Sequence, residues 1–212
     1  MPTKKRRNKP MPTPTDRSRK PATAGMLERL DADELAAVLR SLLRKHPDLK
    51  RDAEAMAIAI VSSPSVEDIA DDVRTNLTSL DVDELSGRAG KHSWGYVEPA
   101  QAAQELLEEA IAESIADMNR RMDLGLEAAS EAICVGIVSG LFRASSENPS
   151  SLLEWAPDFP VEHACFVVEE YVDRYPAAKR RAAADRLIAT LSGVVPEWSE
   201  MISKVARRAA RG

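Results

Sequence analysis

An all-α fold is the expectation for this chain of 212 residues, and three observations carry it. Aromatic residues make up only 4% of the sequence while Ala, Leu, Glu and Arg abound, a bias toward good helix formers and away from the β-branched and aromatic residues that fill sheets. From Met26 onward, large apolar residues recur at three- and four-residue spacing, the period of one helix face. The segments so marked are divided by short breaks rich in Pro, Gly and Ser, so successive helices should pack as antiparallel neighbours. A stack of helical hairpins or an irregular bundle of them follows.

Residues 1–25 are expected to form a disordered basic arm. They hold five of the thirteen prolines and eight basic residues against a single acid, Asp16. Residues 26–212 read as one helical domain, with sub-units 26–96, 97–148 and 149–212. The net charge of −5 hides this asymmetry, because the 21 basic and 33 acidic residues beyond the arm give −12.

The first helix carries Leu35, Val38, Leu39, Leu42 and Leu43 on one face and ends before Pro47. A second, from Asp48 to Ser62, shows Ala53, Met56, Ala57 and Ile60, and a third from Ser65 shows Val66, Ile69, Val73, Leu77 and Leu80. The stretch "SGRAGKHSWGYVEP" then reads as a loop, on its three glycines and its proline. Pro99 suits the first turn of a long helix striped by Ala103, Leu107, Ile111, Ile115, Met118 and Met122, with Gly125 as its C-terminal cap. The next helix places Gly136 and Gly140 one turn apart, which lets a neighbour approach closely. Helices over 161–174, 177–192 and 197–211 complete the series.

"LERLDADEL" (residues 27–35) returns as "LTSLDVDEL" (77–85). As a calcium loop both copies fail, since Leu35 and Ala36, and Leu85 and Ser86, stand where an oxygen ligand and glycine are needed. A capping box explains the repeat: Asp31 and Asp81 cap their helices, and Glu34 and Glu84 reach back. "GRAGKHS" is no phosphate loop, because Leu85 and His92 occupy the positions for Gly and Ser or Thr.

No metal or cofactor site is expected. His163 and Cys165 point about 200° apart on a helix, Cys134 reads as a small buried apolar residue, and His46 favours a helix C-terminus. The carboxylates Glu105, Glu108, Glu109 and Glu113 read as a solvated face, with Asp117 set to pair with Arg121. No catalytic residue is identified, and an enzyme acting through the His92 loop ranks last. A helix-turn-helix over 35–60 fails because "DAEAMAIAI" offers no base-reading side chain.

The stretch from Gly95 to Arg143, "GYVEPAQAAQELLEEAIAESIADMNRRMDLGLEAASEAICVGIVSGLFR", resembles the helical region of bacterial proteins associated with SWIM-type zinc fingers. "LRSLLRKHPDLK" is similar to another helix end of that group, and the resemblance covers residues 27–145. It implies a tetratricopeptide-like helical repeat. The finger's Cys-x-Cys and Cys-x-His pairs are not in this sequence, so nothing that the finger does is carried over.

The expected function is a cytoplasmic, non-enzymatic scaffold that binds a protein or peptide, with Lys91, His92, Trp94 and Tyr96 as a candidate contact loop. Self-association fits the same reading. The alternative is weak, sequence-blind binding of nucleic acid or another polyanion through Lys4, Lys5, Arg6, Arg7 and Lys9. No stretch of 18 or more apolar residues predicts a membrane span.

Overall fold

At the first copy of the repeated motif the chain closes a full capping box. The Asp31 carboxylate accepts from the Glu34 N–H at 2.8 Å, and Glu34 Oε2 accepts from the Asp31 N–H at 3.1 Å. In the computed structural model, which describes residues 25–93, 95–146 and 152–212, this box starts α1 (Ala32–Lys45). The second copy starts α4 (Val82–Arg88) with only half of the device: Asp81 Oδ1 accepts from the Asp83 N–H at 3.2 Å. Glu84 instead lies one turn before Arg88, whose positive charge it helps to hold.

The chain falls into two units, one ending at Ala53 and the other running from Glu54 to Gly212. The described part of the first contains a 3₁₀ turn at Met26–Arg29, α1, and a second 3₁₀ turn at Pro47–Leu49. Pro47 stops α1 as its sequence implies. No residue of α1 is buried, and its apolar stripe is largely open to solvent: Leu35, Val38, Leu39 and Leu42 are 41%, 41%, 48% and 44% exposed. Helix α2 (Lys50–Val61) begins in this unit and ends in the next.

The second unit continues with α3 (Val66–Thr78), α4, β1 (Gly90–His92), β2 (Gly95–Val97), α5 (Pro99–Asp123), α6 (Glu127–Ser146), α7 (Phe159–Asp173), α8 (Ala177–Val194) and α9 (Ser199–Ala209). The fold of the described residues is therefore all-α apart from one small hairpin. That hairpin corrects the expected loop. Gly90 pairs with Val97, Lys91 with Tyr96 and His92 with Gly95 in an antiparallel ladder. Gly90 adopts φ +104°, a turn into the strand that a side chain would resist.

Helix α6 lies at the centre, packed against α3, α5, α7 and α8. Its Ile133, Ile137 and Leu141 are buried with Val73 and Leu77 of α3, Leu107, Ile111 and Met118 of α5, Tyr171 of α7 and Leu187 of α8. By length and composition α6 is also apolar enough to cross a membrane, but 67% of its most apolar window is buried within the fold. Gly136 and Gly140 make the α3 contact. A Cβ at Gly136 would stand 2.7 Å from Ile69 Cβ. One at Gly140 would stand 2.6 Å from the Ala70 carbonyl oxygen. Just beyond, Arg143 forks onto Glu67 at 2.8 and 2.7 Å and reaches Asp71 at 3.1 Å.

The α5–α6 corner is a Schellman turn. Gly125, at φ +75°, donates to the Met122 carbonyl and Leu126 to the Arg121 carbonyl, both at 2.9 Å. That corner folds α5 back along α6 and, with α7 on the far side, sets the walls of the groove described next.

Candidate functional site

Helices α5 and α7 lean together over a groove of about 650 Å³. From α5 come Glu108, Ile111, Ala112, Ile115, Ala116 and Asn119; from α7 come Glu162, His163, Phe166 and Glu170. The spacing explains the lining. Residues 108, 112, 115 and 119 share one face of α5, and 163, 166 and 170 share one face of α7. Ala112 and Ala116 are short enough to leave space between the helices, and Phe166, half exposed, forms the open apolar wall.

Two polar side chains fix the geometry. His163 stacks on Phe159 with ring centroids 3.9 Å apart, and its Nε2 lies 3.5 Å from Glu108 Oε1. Burial pushes the imidazole below its ordinary value of 6.5, opposed by the Glu108 charge and by the Phe159 carbonyl, so the ring is neutral at pH 7. Asn119 donates from Nδ2 to Glu170 Oε1 at 2.6 Å. Its carbonyl oxygen Oδ1 is buried with no hydrogen-bond partner. An unpaired buried acceptor costs about 1–3 kcal/mol.

The groove is rich in acceptors and poor in donors. Three carboxylates, Glu108, Glu162 and Glu170, stand around an apolar floor of Ile111 and Ile115, and the lining contains no Lys or Arg. Such a surface suits a ligand with an apolar body and a cationic, hydrogen-donating head. The lining also contains no Ser, Thr or Cys to act as a nucleophile. Among the described residues no three His, Cys, Asp or Glu side chains converge to hold a metal ion.

A second hollow of similar size, about 660 Å³, lies between α3, α5 and α6. Of its polar groups, Asn76 donates to the Ala110 carbonyl, and Asp117 pairs with Arg120 at 2.8 Å and Arg121 at 3.1 Å, while Asp72, Glu113 and Arg120 make its lining charged. The α5–α7 groove, with Ile111, Ile115 and Phe166 in its lining, offers the larger apolar surface and is the better candidate.

The contact loop read from sequence stands elsewhere. Lys91 and Tyr96 sit opposite each other in the hairpin, with Tyr96 63% exposed. His92 Nε2 lies 2.7 Å from the Arg88 carbonyl, which requires that nitrogen to donate and ties the hairpin to α4. Arg88 in turn forks onto Glu109 of α5 at 2.7 and 2.6 Å. Trp94, and Lys4, Lys5, Arg6, Arg7 and Lys9 of the arm, lie outside the described residues.

Glu108, Asn119, His163, Phe166 and Glu170 were not singled out as a site by the sequence reading, which placed Glu108 on a solvated face. The available signal was weak: two alanines one turn apart beside Ile115, and a histidine, an aromatic and a glutamate at helical spacing. No family model, curated protein or solved structure matches the chain.

Proposed function

We propose that the chain is a non-enzymatic helical scaffold whose α5–α7 groove binds a protein or peptide segment carrying an Arg or Lys flanked by large apolar side chains. One observation carries the reading: an apolar-floored groove ringed by Glu108, Glu162 and Glu170 and lined by no cation. The partner's apolar side chains would cover Ile115 and Phe166. Its cation would meet Glu170 and Glu108.

Of the two architectures the sequence allows, we favour the irregular bundle. In an open repeat each unit touches only its neighbours, whereas α6 packs on α3, three helices earlier, as well as on α8, two helices later. The stretch resembling SWIM-associated helical regions would then supply α5, one wall of the groove.

The test is a titration with a short peptide of Leu and Arg, beside the same peptide with Gln for Arg. Only the Arg peptide should bind, and both Phe166→Ala and Glu170→Gln should weaken it by about tenfold or more. Equal binding of the two peptides, or equal affinity of the wild type and both variants, would remove the groove from consideration.

A further inference from the structure

We propose that α8 and α9 form a binding site for an oligophosphate, a short anionic chain of linked phosphoryl groups. The inference is independent of the α5–α7 groove and rests on how the second unit pairs its arginines. Every arginine from Arg74 onward lies 3.8 Å or less from a carboxylate oxygen, except Arg181, Arg207 and Arg211, which pair with no carboxylate among the described residues. These three all line one hollow of about 310 Å³ between α8 and α9. Ala184 of α8 and Ala210 of α9 belong to the same lining, and their short side chains leave the space open. The α9 dipole favours Arg207 and Arg211 near that helix's C-terminus, but it does not account for Arg181, in the second turn of another helix.

A second hollow, of about 510 Å³, shares Arg207 and Arg211 and adds Lys204 and Ser203. Lys204, Arg207 and Arg211 follow one another at three- and four-residue spacing, so a single face of α9 serves both hollows. Lys204 also pairs with no carboxylate among the described residues. Arg211 donates from Nε to the Arg207 carbonyl at 3.2 Å, which holds its guanidinium and leaves the terminal nitrogens for a ligand. Together the hollows gather four cations against Asp185 and Glu200, on a body whose net charge beyond the arm is −12. Guanidinium forks match phosphate oxygens in pairs. Because Arg207 and Arg211 face both hollows, the matching anion carries its charge past a single phosphoryl group. No aromatic side chain lines either hollow to stack a base, and the acidic body repels a long polyanion. Both facts favour a short oligophosphate over a nucleic-acid strand.

The experiment titrates the full chain with sodium tripolyphosphate by calorimetry in about 0.15 M salt, which screens diffuse attraction beyond about 8 Å. One saturable site should appear, and Arg181→Gln and Arg207→Gln should each weaken it by about tenfold or more. Both positions are exposed, so the helical circular dichroism should not change. Arg208→Gln removes the same charge from the same helix, but Arg208 pairs with Glu169 of α7, and this variant should bind as the wild type does. Adenosine triphosphate separates two sources of the phosphate chain: equal affinity supports a free oligophosphate at the site, and tighter binding supports a nucleotide there. Undiminished binding in Arg181→Gln or Arg207→Gln, an equal loss in Arg208→Gln, or no saturable binding at about 1 mM tripolyphosphate overturns the proposal. So does a single-stranded DNA that binds more tightly than either phosphate and loses that binding in Arg207→Gln, the mark of a nucleic-acid site.

Discussion

Gly140 of α6 and Val73 of α3 meet with no room for a methyl group: a Cβ at residue 140 would stand 2.7 Å from the Val73 Cβ. Real side chains do not approach so closely. The Ala70 carbonyl lies on the other side of the same point at 2.6 Å, so the crowding is against backbone as well as side chain.

Gly140→Ala is therefore expected to destabilise the second unit by about 1–3 kcal/mol, the cost of overpacking a tight core. Gly193, in α8, has nothing within 4 Å of the same point. Gly193→Ala should stabilise by up to about 1 kcal/mol, the helix propensity difference. Urea denaturation of the two variants checks the opposite signs. Equal effects would mean that α3 does not rest on the α6 glycines.

His163 makes the stability depend on pH. Burial lowers its folded-state value below the ordinary 6.5, so in mildly acidic solution the unfolded chain binds the proton first. The stability is fully present above pH 6.5 and falls as the pH drops through the folded value. Asp117 adds a separate loss at lower pH, because Arg121 and Arg120 overcome its burial and hold the carboxyl below its ordinary 3.8. Denaturation at pH 7.5 and at pH 5.5, in the wild type and in His163→Leu, should show the variant losing less on acidification. A variant as acid-sensitive as the wild type would remove His163 from the cause.

The two thiols should react in order of burial. Cys134 is fully buried and held well above the ordinary thiol range, while Cys165 is half-buried and raised less far. With a disulfide reagent at pH 8, Cys165 should react slowly in the native protein. Cys134 should react only as the protein unfolds. A fast reaction of both thiols would contradict the burial of α6.

The half-cap on α4 should be worth less than the full box on α1. Asp31→Ala removes an acceptor that Glu34 reciprocates and should cost about 1 kcal/mol of α1 helicity, whereas Asp81→Ala should cost less. Amide exchange at Leu35 and Glu84, whose N–H groups donate to the Asp31 and Asp81 carbonyls, compares the two sites.

Local signals in the sequence carried much of this fold. Gly125 after a long apolar stripe gave the α5–α6 corner, Pro47 the end of α1, and the paired glycines the close face of α6, because each depends on backbone geometry that a few adjacent residues dictate. The hairpin was missed because "GKH" and "GYV" are each three residues long, too short to show the alternation that marks a strand. The groove was missed for another reason. Glu108 and His163 belong to helices separated by all of α6, and only the packing of α5 and α7 on that helix makes them neighbours. Periodicity identified the α1 stripe as apolar without saying what covers it.

The groove itself is tested most directly by methyl NMR with isoleucine labels, adding the Leu and Arg peptide to the full chain. Ile111 and Ile115, both lining the groove, should shift on binding while Ile202, buried between α9 and the core, does not, and the shifts should vanish with Phe166→Ala. Shifts at Ile202 with Ile111 and Ile115 unmoved, or no shift at saturating peptide, would contradict a partner-binding role for the α5–α7 groove.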